Sequence, residues 1–385
     1  MALTKRYVRA DASGTGNGTT DANSGANGAF TWAQFITDIN TPRAGYKYIV
    51  MSIGGAFANG TTTTTLTGDG TTTSPNVIEG CYQTEGDLLA NGRDSVGALV
   101  TTNFPVISYT GTTARLAFNT ADYLVFRCLS VTSAASNPTM QMSIGSVIDQ
   151  CLVTNTGTNA LSQAITSTAI NATVSNSDLS TASTGSDSAV KNSGADMLVI
   201  GCRIKCVPGV GITTTTRATI VACTIFESTI GVAIAASQTL VVINTTIANC
   251  TGDGIDVAAA VILPIRIINC HITGNGGYGV DWNAATCAKT TINNRFRDNT
   301  SGDQSVTDDW IEGTSVRNVT SNDTDGDDFT NQGADDYSLL VTAPAIVAGI
   351  GYRNPIGAHG AGSFGSGGGS ALHLGGPGQT GIGSF

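Results

Sequence analysis

The chain has 385 residues, is 41% hydrophobic and only 12% charged, and carries a net charge of −10. That length and apolar fraction exclude a disordered chain, and an acidic balance with no run of Lys or Arg argues against nucleic-acid binding. No apolar run reaches the ~18 residues of a membrane span, and Met1-Ala2-Leu3-Thr4-Lys5-Arg6-Tyr7 lacks an apolar core of signal-peptide length, so the chain is expected either to be made in a host cytoplasm or to be extracellular, reaching the outside by another route such as lysis.

Residues 1–45 read as an N-terminal arm and cap. Arg6-Tyr7-Val8-Arg9-Ala10 is a short strand, followed by a Gly/Asn/Thr/Ser loop without period. Phe30 to Ile39 is the one good helix. Thr31 and Gln34 form a capping box, Phe30 and Phe35 a hydrophobic staple, and Trp32, Phe35, Ile36 and Ile39 share a face. Such a helix suits the open end of a solenoid, which otherwise exposes core and strand edges.

Residues 46–300 read as the coil. Tyr48-Ile49-Val50-Met51 is a strand, and Thr65 to Cys81 is strand, turn, strand. From Met197 to Thr286, four lines stack: Leu198 to Ile204, Ile220 to Ile225, Val242 to Ile247 and Ile267 to Ile272. A small residue (Cys202, Cys223, Thr245, Cys270) recurs at intervals of 21, 22 and 25. Each line is followed by a Gly-led segment: Gly211-Ile212, Gly231-Val232-Ala233-Ile234, Gly254-Ile255-Asp256-Val257 and Gly279-Val280-Asp281-Trp282. A period of this size marks a solenoid, and alternation within each line makes the unit β. The small-residue column extends through Cys128, Cys151, Ser177, Cys202, Cys223, Thr245, Cys270 and Asn294. About ten rungs at ~4.8 Å give a rod on the order of 45–50 Å long. Neighbours in the column lie near enough for disulfides, but small buried thiols are the simpler reading of the Cys residues. An Asn closing the column would form an amide ladder at a turn.

Residues 301–359 read as closing strands, among them Asp336-Tyr337-Ser338-Leu339-Leu340, and acidic loops. Residues 360–385 form an irregular Gly-rich tail.

The rung pattern over residues 120–297, the segment Leu66-Thr67-Gly68-Asp69-Gly70-Thr71 with Pro75-Asn76-Val77-Ile78-Glu79-Gly80, and the ending Ala343-Pro344-Ala345-Ile346 with Pro355-Ile356-Gly357-Ala358 together resemble the right-handed parallel β-helix, pectate-lyase-like superfamily. Ala343 and Pro355 depart from the usual Ser and Asp of that ending. The resemblance implies an all-β fold: a right-handed single-stranded parallel β-helix with an N-terminal capping helix. It is weak for activity, because the fold hosts lyases, hydrolases, adhesins and phage tailspikes.

The residues themselves offer one candidate constellation, Asp253, Asp256 and Asp281. Asp256 and Asp281 hold equivalent places in two successive rungs. With their aliphatic neighbours facing in, they face out about 5 Å apart, a spacing compatible with a retaining carboxylate pair or a Ca2+ site. His271 and Lys289 are expected nearby. The plain alternative is a solvated acidic ladder. Asp323, Asp325 and Asp327 alternate beside Gly326 like a Ca2+ loop, but the closing Glu is missing. No cofactor is expected, with Ca2+ as the alternative. Arg203-Ile204-Lys205 matches a hydrolase motif of the superfamily but falls inside the repeat register, and His359 and His373 pair with no visible nucleophile.

Two readings follow. The first is a non-enzymatic structural or adhesive protein of a bacteriophage virion surface (head decoration, fibre or spike). Its expected partners are further copies of itself, as a homotrimer by analogy with phage β-helices, capsid or other virion proteins, and surface polysaccharide. The second is a polysaccharide lyase or glycoside hydrolase.

Overall fold

Each repeat folds as three short strands end to end, and each strand pairs in parallel with its counterparts one turn before and after. In the computed structural model the described residues are 3–305, apart from 95, 96, 119, 160, 183–186, 237 and 293, with the short strands Val319–Thr320, Phe329–Asn331 and Asp336–Leu339. Three parallel sheets result, of eleven, ten and eleven strands. Sheet A contains Met197–Ile200, Ala218–Val221, Leu240–Ile243, Ile265–Ile268 and Lys289–Ile292. Sheet B contains Arg203–Cys206, Thr224–Phe226, Thr246–Ala248, His271–Thr273 and Arg295–Arg297. Sheet C contains Val210–Thr214, Ile230–Ile234, Ile255–Val257 and Tyr278–Asp281. Eight regular turns run from Leu124 to Gln304.

Alternation decides which side chains enter the core. In sheet B, Val131, Val153, Leu179, Ile204, Ile225, Ile247, Ile272 and Phe296 stack in one fully buried column. Burying one such side chain contributes roughly 1.5–3 kcal/mol, so the coil is held by summed rung-to-rung packing.

The corner between sheets A and B has a constant construction of two residues. The first lies in the left-handed region at Cys128, Gln150, Asn176, Gly201, Ala222, Asn244 and Asn269, with φ between 48 and 64°. The second turns inward and is buried at Leu129, Cys151, Ser177, Cys202, Cys223, Thr245 and Cys270. The small-residue column is therefore real, with one correction. Cys128 holds the left-handed position, and Leu129 is the inward occupant of that rung, one residue off the expected register. Where the occupant is polar it accepts the backbone N–H of the column residue one turn earlier: Ser177 from Cys151 at 3.0 Å, and Asn294 from Cys270 at 2.8 Å. The amide ladder itself forms at the next corner, where Asn275 Nδ2 donates to Asn299 Oδ1 at 2.8 Å. All nine Cys are free and buried, and burial pushes the Cys270 thiol up to about 12.

The Gly column has a steric cause. A Cβ on Gly211, Gly231 or Gly254 would lie 2.6, 2.5 or 2.6 Å from the carbonyl oxygen of the next Gly in the column. No side chain fits that approach.

At the N-terminal end, the helix Trp32–Ile39 carries the expected capping box, with Thr31 Oγ1 accepting from Gln34 N. Phe35 packs edge-on to Tyr48 at 5.0 Å, and Trp32 lies 5.2 Å from Phe57. The arm also contributes a strand. Thr4–Arg9 pairs with Tyr46–Met51 and opens sheet A, so sheet A begins within residues 1–45. At the other end, Asp336–Leu339 pairs antiparallel with Phe329–Asn331. The expected Gly-rich tail lies outside the described residues.

Between Cys81 and Val106 the chain leaves the coil and straps the A–B corner. Arg93 donates to Asp178 Oδ1 at 2.6 Å and to the Gly201 carbonyl at 2.7 Å, while Asp178 Oδ2 accepts from Leu99 N at 2.8 Å. Leu88, Leu99 and Phe104 close over Cys128.

Candidate functional site

The three acids come together as their spacing suggests. Ile255–Val257 and Tyr278–Asp281 are adjacent in sheet C, and Asp256 stands directly opposite Asp281. Ile255, Val257, Val280 and Trp282 are buried, which leaves the two carboxylates on the outer face, half-buried. Asp253 lies just before the first strand, its Oδ1 accepting from Tyr278 N at 2.6 Å. Asn283 ties the pair together: its side-chain amide donates to Asp256 Oδ1, and its backbone N–H to Asp281 Oδ1 at 3.0 Å.

Electrostatics follow from crowding. Burial raises the Asp256 pKa, and the charges of Asp253 and Asp281 raise it further, against the hydrogen bond from Asn283. Burial also raises Asp253, with Asp281 adding to the shift and the Tyr278 N–H opposing it. Parallel register sets the opposed Cα atoms ~4.8 Å apart.

The cationic partners do not converge on it. Going down the same outward column of sheet C, Asp256 is followed by Ala233, Thr213 and Lys191. Lys191 is three rungs away, ~14 Å, and pairs with Asp187 at 3.6 Å. Lys289 is not beside the acids. It sits at a buried position of sheet A with its ammonium 5.3 Å from the Trp282 ring centre. His271 lies in sheet B between Thr246 and Arg295, fully buried. Among the described residues, no three His, Cys, Asp or Glu are grouped to hold a metal ion. Asp323, Asp325, Asp327, His359 and His373 lie outside the described residues.

Arg203 and Lys205 also stand apart from the acids, on sheet B. They lie 4.4 and 5.5 Å from the Phe226 ring centre, and Lys205 pairs with Glu227 at 2.6 Å. Two features escaped the sequence reading. Asn283 follows Trp282 with no motif to mark it. The outer face of sheet A carries an aliphatic ladder, which unbroken apolar runs such as Leu240-Val241-Val242-Ile243 do signal, because a strand open to water on one face should alternate.

Three parallel sheets wound into one coil define the class by fold, a parallel β-helix. Residues 141–301 match the family model of a right handed beta helix region. Among solved structures, the chain is similar to a pectate lyase, Pel9A, with a TM-score of 0.63 at 12% identity, covering 94% of this chain and 97% of that one. A rhamnogalacturonan lyase aligns with a TM-score of 0.41 at 12% identity, over 85% of this chain and 91% of that one. At such identities the likeness is one of fold. None of the curated proteins matches the chain. No helix among the described residues is long and apolar enough to cross a membrane.

Proposed function

We propose that this chain is a non-enzymatic structural and adhesive β-helix of a bacteriophage virion surface, a head decoration, fibre or spike made in the host cytoplasm. Its partners on this reading are further copies of itself, capsid or other virion proteins, and surface polysaccharide. The observation that supports a non-enzymatic role is the outward column of sheet C: Gln141, Thr166, Lys191, Thr213 and Ala233 lead to Asp256 and Asp281, and no cation converges on the acids among the described residues. A lyase needs a base beside its bound substrate.

The test combines two measurements. Purified protein is incubated with acidic and neutral polysaccharides, and reducing ends and unsaturated products are followed. Purified virions are analysed for the chain by mass spectrometry. Virion-bound protein without turnover is the expected result.

A second reading, polysaccharide lyase or glycoside hydrolase, is favoured by the in-register Asp256–Asp281 pair and by the raised pKa of Asp256. On that reading turnover is present and Asp256→Asn abolishes it, which would sink the structural proposal.

A further inference from the structure

The outer face of sheet A changes character along the rod. After Tyr7 and Ile49 in its first two strands, the next four rungs carry Glu79, Arg127, Asp149 and Ser175 in the same register column. The next five carry Ile200, Val221, Ile243, Ile268 and Ile292, one above another. Leu198 and Val241 lie beside them in the neighbouring outward column, with Thr219, Arg266 and Thr290. All five β-branched side chains are half-buried although they point away from the core.

We infer that this ladder is a self-association surface, packing against the same face of a second copy of the chain. The inference rests on the structural reading proposed above and names the surface through which copies would meet. Three observations carry it. Sheet A strands here are apolar on both faces, the signature of strands covered on both sides. The ladder carries a single charge, Arg266, in a chain of net charge −10, so it is a face on which two copies approach without bringing like charges together. Its shape is a flat ladder of ~4.8 Å period, which an identical ladder matches row for row. Its five rungs cover on the order of 300 Å2, well below the ~800 Å2 per partner of a standard interface. The assembly is therefore expected to be reversible and concentration-dependent.

Sedimentation equilibrium of the full chain tests this. The expected result is a mass above the 39.1 kDa of one copy, rising with concentration. Ile243→Lys should return it to one copy with an unchanged circular dichroism spectrum. Thr213→Lys on sheet C should leave it assembled. Should the lysine variant fail to fold, the uncharged double variant Val221→Thr with Ile268→Thr should weaken assembly by about tenfold or more. A wild-type chain at the mass of one copy throughout overturns the inference. Assembly that persists in the variants overturns it too. Neither result touches the polysaccharide assay, and turnover there would leave the sedimentation result standing.

Discussion

Gly254 shows how little room a rung leaves. Besides the Gly279 carbonyl, an added methyl would meet Ile272 Cγ2 at 2.7 Å and Asn275 Nδ2 at 3.0 Å. Gly254→Ala should therefore cost roughly 1–3 kcal/mol, read as a lower thermal midpoint, although Ala is ordinarily the better residue for backbone entropy. Asp256 makes the opposite prediction. A carboxyl whose folded pKa lies above its unfolded value near 3.8 contributes stability that is complete below that value and is lost as pH rises through the folded pKa. Asp256→Asn should then raise the melting temperature at pH 7, and its advantage should vanish on acidification below 3.8. An advantage that stays constant with pH would show that charge is not its cause. The Cys residues predict inertness: all nine are buried, so iodoacetamide should leave them unmodified in the native protein and alkylate them in denaturant, as counted by mass.

At the scale of elements, the strap from residue 82 to 105 is the part whose stability is most local. Arg93→Ala removes the ion pair with Asp178 and the hydrogen bond to Gly201, at a cost of about 1–3 kcal/mol. Amide exchange in residues 82–105 should accelerate while sheets A and C keep their protection. This element was opaque in the sequence, because a long irregular insertion docks through single contacts 79 to 108 residues away, which no period records. The capping helix was legible to its cap, because Thr31, Gln34 and the apolar face are local signals. Asp256 and Asp281 were legible for the same reason, since equal positions in equal repeats must meet. The one-residue slip at Cys128 arose where chemistry imitated register: a cysteine fills a left-handed corner position that Asn, Gly, Gln or Ala fills elsewhere, while the inward position holds Leu129.

At the scale of the molecule, each strand of the eight regular turns pairs with its counterparts in the turns before and after, so the stability of the coil is close to a sum of neighbouring rungs. The three corners do not share in this equally. The A–B corner keeps two residues from Cys128 to Cys270 because a left-handed residue and a buried one complete the bend. The corner from sheet C back to sheet A is free to vary: residues 215–217 suffice in one rung, and residues 258–264 fill another, with Ile262 64% exposed. From Cys128 to Cys270 the rod therefore has one edge of fixed length, while loops of varying length project at its other corners. A peptide of about ten residues inserted between Ala259 and Ala260 should be displayed at little thermodynamic cost, while the same insertion between Asn244 and Thr245 should break the coil, a difference that melting curves of the two insertants would read directly.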